Sequence, residues 1–361
     1  MFSISSGFHS RPVMRRTDSL PLPKERVFYF PVATRLSVAA VSRLIVAMVA
    51  MMFFANPAAA QNATPVAPDQ VTSAANWLLT QQGVDGGFVG FSGATEAGIT
   101  VDAVLALAAA NEAGADVNLQ PALDYLYSGD VALVYAQTGA GQAAKLVLAV
   151  VAAGGDPRDV NGVDPLSLAT ADIDGATGHY GTGVFDHALV MLAIAAAGDE
   201  VPDEAISRLV NSQLKDGSWS FDGEESPGSG DTNSTAISIM ALAAAGKGDG
   251  RDVQQGIDYL KTTLLPDGSF PYQPADGAAG DANSTGIVVQ ALVAAGQDPA
   301  SPDWNNVAGR LLEFQNESGA FRYMVDMPDD NLFATVQAIP AIAGVPFPIV
   351  GALPVASPIA A

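Results

Sequence analysis

Apolar residues follow two alternating patterns along this chain. Stretches such as Ile237 to Ala245 and Thr100 to Asn111 are apolar on nearly every face, which predicts helices buried all round. Stretches such as Ala205 to Leu214, with Arg208 and Lys215, keep one polar side and predict amphipathic helices with a solvent face. A polar turn joins the two kinds. At Gln213-Leu214-Lys215-Asp216-Gly217-Ser218-Trp219 it reads Gln, three residues, Gly, one residue, aromatic. The Asp-Gly pair stops the amphipathic helix, because Gly accepts a left-handed conformation without a Cβ penalty. Trp219 then folds back as an apolar plug. The turn recurs at Gln82 to Phe88 and Gln315 to Phe321, and without its Gln at Leu265 to Phe270.

Counted this way, the chain divides into six units of an outer helix, a turn and an inner helix, at about 71–117, 118–160, 161–203, 204–250, 251–300 and 301–350. The turn of the second unit, Ser128-Gly129-Asp130, is degenerate. Neither end unit has a polar outer face of the kind that caps an open solenoid. The expected fold is therefore all-α, a closed α/α toroid of six helix pairs over residues 71–350, with a linker over 61–70 and a tail over 351–361.

The first 60 residues stand apart. Seven basic residues from Arg11 to Arg43 precede the apolar run Leu44 to Ala55 and Ala58-Ala59-Ala60, the layout of a signal peptide or an N-terminal membrane anchor. The expected location is extracytoplasmic, with membrane contact only through an uncleaved leader. Residues 1–60 hold 7 of the 16 Lys/Arg and 2 of the 38 Asp/Glu, so the remainder carries a formal charge of about −27. Such a surface repels phosphate backbones and excludes nucleic acid as a partner. The chain has no Cys, which excludes thiolate–zinc sites, thiol nucleophiles and internal thioesters.

The repeated turn resembles that of the terpenoid cyclase and protein prenyltransferase superfamily, and Ala334 to Ala341 is similar to the last repeat of the helical domain of cobalamin carriers. The resemblance implies the toroid and says little about activity. Squalene cyclases protonate an alkene with an Asp-x-Asp-Asp acid. Asp172-Ile173-Asp174-Gly175 is the nearest match, lacks the last Asp, and lies beside a Gly-rich turn rather than in a cavity helix. Prenyltransferase β subunits hold zinc with Asp, Cys and His, and there is no Cys. Cobalamin carriers add a small β-rich domain, and 15 residues follow Pro346.

Aligning the inner helices puts Glu96, Asp231 and Asp281 at one level, with Asn233 and Asn283 just inside. Asp186 and Gln142 share the level of Ser234, and His187, Thr100, Thr235 and Thr285 follow. These are polar groups at the mouth of an apolar tube, the composition of a ligand site. The Asp residues serve equally as helix N-caps in Gly/Ser-rich, solvated loops. Asp102 and Lys145 share the level of Ile237 on neighbouring helices, which predicts an ion pair. His179 and His187 are too few for an expected zinc site. The expectation is an exported, non-catalytic toroid without cofactor, binding an unknown small molecule or protein at its mouth. A terpene-cyclase-like enzyme and a cobalamin-type carrier are the alternatives.

Overall fold

The computed structural model describes residues 67–171 and 173–350. The expected leader and tail, and linker residues 61–66, lie outside them. The first pair is α1 (Pro68–Thr80) and α2 (Ala97–Glu112), joined through the hairpin β1 (Phe88–Val89) and β2 (Thr95–Glu96). Helix α1 starts inside the expected linker because Pro68 is pre-set for a first helical turn. The second unit holds α3 (Gln120–Leu126), α4 (Val131–Ala136) and α5 (Ala140–Ala152). The third holds α6 (Pro165–Ala171), the hairpin β3 (Ile173–Asp174) and β4 (His179–Tyr180), and α7 (Val184–Ala196). Then come α8 (Asp203–Asn211) with α9 (Thr232–Leu242), and α10 (Arg251–Thr263) with α11 (Ala282–Ala294). The sixth pair is α12 (Val307–Leu312) and α13 (Leu332–Ala343).

The inner helices α2, α5, α7, α9, α11 and α13 pack in that order, and α13 packs back on α2. The ring is closed. Its inner layer is buried along almost its whole length, as the all-round apolar pattern requires. Among the described residues no helix is long and apolar enough to cross a membrane.

The repeated turn acts as a clamp between units. The Gln213 Nε2 donates to Gly217 O at 2.9 Å and to Asp252 O, on the next outer helix, at 2.8 Å. Gly217 has φ +91°, and a Cβ there would stand 2.3 Å from Gln255 O, so the position needs Gly twice over. Gln315 Nε2 makes the same pair of bonds, to Gly319 O and to Gln70 O at 2.9 Å, and so joins the last unit to the first. Phe88, Trp219, Phe270 and Phe321 are fully buried plugs, and Trp219 Nε1 donates to Leu209 O at 2.7 Å.

On four of the six inner helices a hydroxyl latches the plug. Thr100, Thr235, Thr285 and Thr335 Oγ1 accept the backbone N–H of Phe88, Trp219, Phe270 and Phe321 at 2.8–3.1 Å. In the third unit His187 takes this place. Its Nδ1 accepts from Tyr180 N at 3.0 Å, and Nε2 lies 2.9 Å from Ala205 O on α8.

Candidate functional site at the mouth of the ring

The latch fixes which way each inner helix faces. Thr235 is four residues past the N-cap Asp231 and points outward to its plug. At 100° per residue, positions two, six and nine past the cap point to the axis. Those positions form three tiers. The upper tier is Gly98, Gly141, Phe185, Asn233, Asn283 and Phe333. The middle tier is Asp102, Lys145, Leu189, Ile237, Ile287 and Gln337. The lowest is Leu105, Leu148, Leu192, Met240, Gln290 and Pro340, all buried.

The third tier closes the axis. The expected apolar tube is a shallow cup, because the third-tier residues of all six inner helices are buried and leave no open bore at that level. Gln290 lies within this floor, buried, with Oε1 lacking a partner among the described residues.

Lys145 Nζ and Asp102 Oδ1 form the ion pair expected from the shared level. Burial works against the ammonium, but Asp102 and then Tyr135 outweigh it, so Lys145 holds its proton above the ordinary lysine value. Tyr135, on the unforeseen helix α4, is pushed up to about 12, first by burial. Lys145 lowers it and Asp102 raises it. Gln142 and Gln337 have no side-chain hydrogen bond among the described residues, and Gln337 is exposed on the cup wall.

Asp231 and Asp281 cap α9 and α11, each accepting the N–H of the Ser three residues on at 2.7–2.8 Å. The expectation that these carboxyls are solvated is wrong. They are 1% and 2% exposed, and burial raises both above the usual carboxylate range against the lowering bonds from Ser234 and Ser284. The cover comes from the next unit. Tyr272 O accepts from Thr232 N, and Tyr323 O from Ala282 N, both at 2.9 Å, so each loop lies across the preceding helix end. Asp231 Oδ2, Asn233 Oδ1 and Asn283 Oδ1 lack partners among the described residues.

The remaining expected residues are committed elsewhere. Thr235, Thr285 and His187 face away from the axis as latches, and both His187 nitrogens meet backbone groups. Asp186 Oδ2 accepts from Thr182 N and Oγ1 at 3.3 and 3.0 Å. His179 stacks on His187 at 4.8 Å, and no group of three His, Cys, Asp or Glu among the described residues could hold a metal. Asp174 lies in an exposed hairpin, accepting from Ala176 N and Thr177 Oγ1.

An aromatic rim surrounds the cup that the sequence reading did not find. Phe91 stacks on Phe333 with centroids 4.0 Å apart, Phe185 meets Phe221 at 5.6 Å, and Tyr272 and Tyr323 follow. The signal was an aromatic two residues beyond the plug, in Trp219-Ser220-Phe221, Phe270-Pro271-Tyr272 and Phe321-Arg322-Tyr323. A separate groove of about 870 Å³ lies on the outer wall between α3 and the loop 153–162. Its carboxylates Asp124, Asp156 and Asp159 accept from Gln120, Arg158 N and Gly162 N, so they are already used.

Residues 26–138 and 184–322 match the prenyltransferase alpha-alpha toroid domain. The chain belongs to this family. Among solved structures the toroid is similar to the type II terpene cyclase MstE from Scytonema, at TM-score 0.53 and 14% identity over 76% of this chain and 97% of that one. An aspartate-to-asparagine variant of MstE, in complex with its substrate geranylgeranyl dihydroxybenzoate, gives TM-score 0.52 at 14% identity over 76% and 96%. It is also similar to an α-1,6-mannanase from Salegentibacter sp., at TM-score 0.55 and 12% identity over 77% and 98%. At such identities the likeness is one of fold. A search of curated protein sequences finds no match.

Proposed function

We propose that this toroid is an exported, non-catalytic receptor that holds a small molecule in the cup at its mouth. One observation carries the reading. Helices α9 and α11 open on Asp231-Thr232-Asn233-Ser234 and Asp281-Ala282-Asn283-Ser284, the spacing of the Asp-x-Asp-Asp acid with Asn and Ser in place of its second and third carboxylates. An amide facing the axis binds polar groups but has no acidic proton to give an alkene. The carboxyls that remain are spent on helix capping. The MstE substrate complex with asparagine for aspartate is consistent with binding that outlasts the loss of an acid.

A terpene-cyclase-like activity is the second reading. Burial raises Asp231, and its Oδ2 is unpartnered, two properties of a proton donor. Native mass spectrometry of the full chain separates the two, using Asn233→Ala/Asn283→Ala and Asp231→Asn as variants. A retained small molecule, lost from the double Asn variant and kept unchanged by Asp231→Asn, supports the receptor. Conversion of a geranylgeranyl compound to a cyclic isomer, abolished by Asp231→Asn, overturns it.

A further inference from the structure

The mouth contains the same small assembly twice, one repeat apart. Asn233 on α9 lies under the loop that carries Tyr272, and Asn283 on α11 under the loop that carries Tyr323. The backbone bond fixing each Tyr to the helix end is the same 2.9 Å contact in both copies. Tyr272 is 43% exposed and Tyr323 half-buried. Two copies of one subsite in series suit a ligand that is itself a short repeat.

The chemistry narrows the ligand. Each Asn is half-exposed with Oδ1 turned inward and unpartnered, and a half-turn of the amide exchanges its donor and acceptor ends. Such a group matches a hydroxyl, which both donates and accepts. The Tyr rings offer apolar faces with a polar tip, which suits the C–H face of a pyranose ring. Anionic ligands are disfavoured, since the Asp231 and Asp281 carboxyls act electrostatically on the Tyr272 and Tyr323 hydroxyls and Lys145 is neutralised by Asp102. A long apolar chain has no channel to enter, because the buried third tier leaves no open bore.

We propose that the mouth binds a neutral oligosaccharide, with consecutive sugars lying on Asn233–Tyr272 and Asn283–Tyr323. This rests on the reading that the mouth is a ligand site. It calls for no bond making or breaking.

The test is calorimetric titration of the full chain with α-1,6-mannotriose, maltotriose, cellotriose and glucose, with geranylgeraniol run in parallel. At least one trisaccharide binds, and glucose binds at least about tenfold more weakly because it fills one subsite. Tyr272→Ala and Tyr323→Ala each weaken the trisaccharide by about tenfold or more, while Tyr→Phe at either site keeps most of the affinity. The backbone carbonyls that cover the helix ends survive these changes, and thermal unfolding verifies that the variants fold. Absence of binding by all three trisaccharides at millimolar concentration overturns the inference, as does unchanged affinity in the double Tyr→Ala variant. Geranylgeraniol binding that is lost in Asn233→Ala/Asn283→Ala, with no trisaccharide bound, sinks the saccharide and keeps the mouth as a site. If no probe binds and native mass spectrometry finds no retained molecule, both readings fall.

Discussion

Acid should weaken this fold through His187. The ring is 1% exposed, and Nδ1 must stay unprotonated to accept the Tyr180 N–H. Burial lowers the His187 pKa from 6.5 to about 4, with the Ala205 carbonyl opposing and His179 and Arg208 assisting. The sign follows from which state binds the proton. Below pH 6.5 the unfolded chain takes it up, and the folded chain refuses it until about pH 4. Stability therefore falls as pH drops through this window, by about 1.4 kcal/mol per pH unit and about 3 kcal/mol in all. Asp231 and Asp281 act in the opposite sense. Their raised values let the folded chain bind protons first, relieving a penalty as pH falls. Comparison with a His187→Gln variant cancels that contribution, since both proteins share it. Gln can accept from Tyr180 N and donate to Ala205 O, but does not titrate. Urea unfolding at pH 7, 5.5 and 4 should show the wild type losing about 3 kcal/mol more than His187→Gln. Equal losses in the two proteins would refute a buried neutral imidazole as the latch.

Three further outcomes test the frame. Asp102→Ala or Lys145→Met alone should cost about 1–2 kcal/mol in denaturant unfolding, less than a fully buried pair because the cup admits water, and the double variant should cost less than the sum. Equal additivity would mean the two charges do not interact. Gly217→Ala should cost about 3 kcal/mol or more, from its positive φ and its contact with Gln255 O, whereas Gly93→Ala, with positive φ and open space, should cost about 1 kcal/mol. Thr235→Val should lose about 1–3 kcal/mol by leaving the Trp219 N–H unmet, and a neutral result would deny the latch.

The ring was legible because its signals are local. Gln213, Gly217 and Trp219 lie within one turn, and the all-round apolar helices announce burial on both faces. The levels on the inner helices were legible too, since 100° steps from Asp231 and Asp281 place Asn233 and Asn283, and the same steps from Glu96 and Gly139 place Asp102 and Lys145, without knowledge of the neighbours. What escaped depends on the next unit. Asp231 looks solvated among Gly and Ser until Tyr272, 41 residues on, covers it. The burial of the third tier depends on all six inner helices closing into a ring, and no single helix records it. Helix α4 was hidden because the degenerate turn at Ser128-Gly129-Asp130 carries no plug to mark its place.

The bond from Gln315 to Gln70, 2.9 Å long, spans 245 positions yet joins the same pair of groups, an amide of the turn and a carbonyl of the neighbouring outer helix, as the 2.8 Å bond from Gln213 to Asp252. A ring sealed in this way has no weakest end from which to unravel. Heat or denaturant finds no terminal unit to peel, and every pair must lose two neighbours before it leaves. Unfolding should then be a single event of the whole circle, with the seam between last and first as durable as any internal joint. For a protein held together without a single disulfide, circularity supplies the restraint that crosslinks give to other chains.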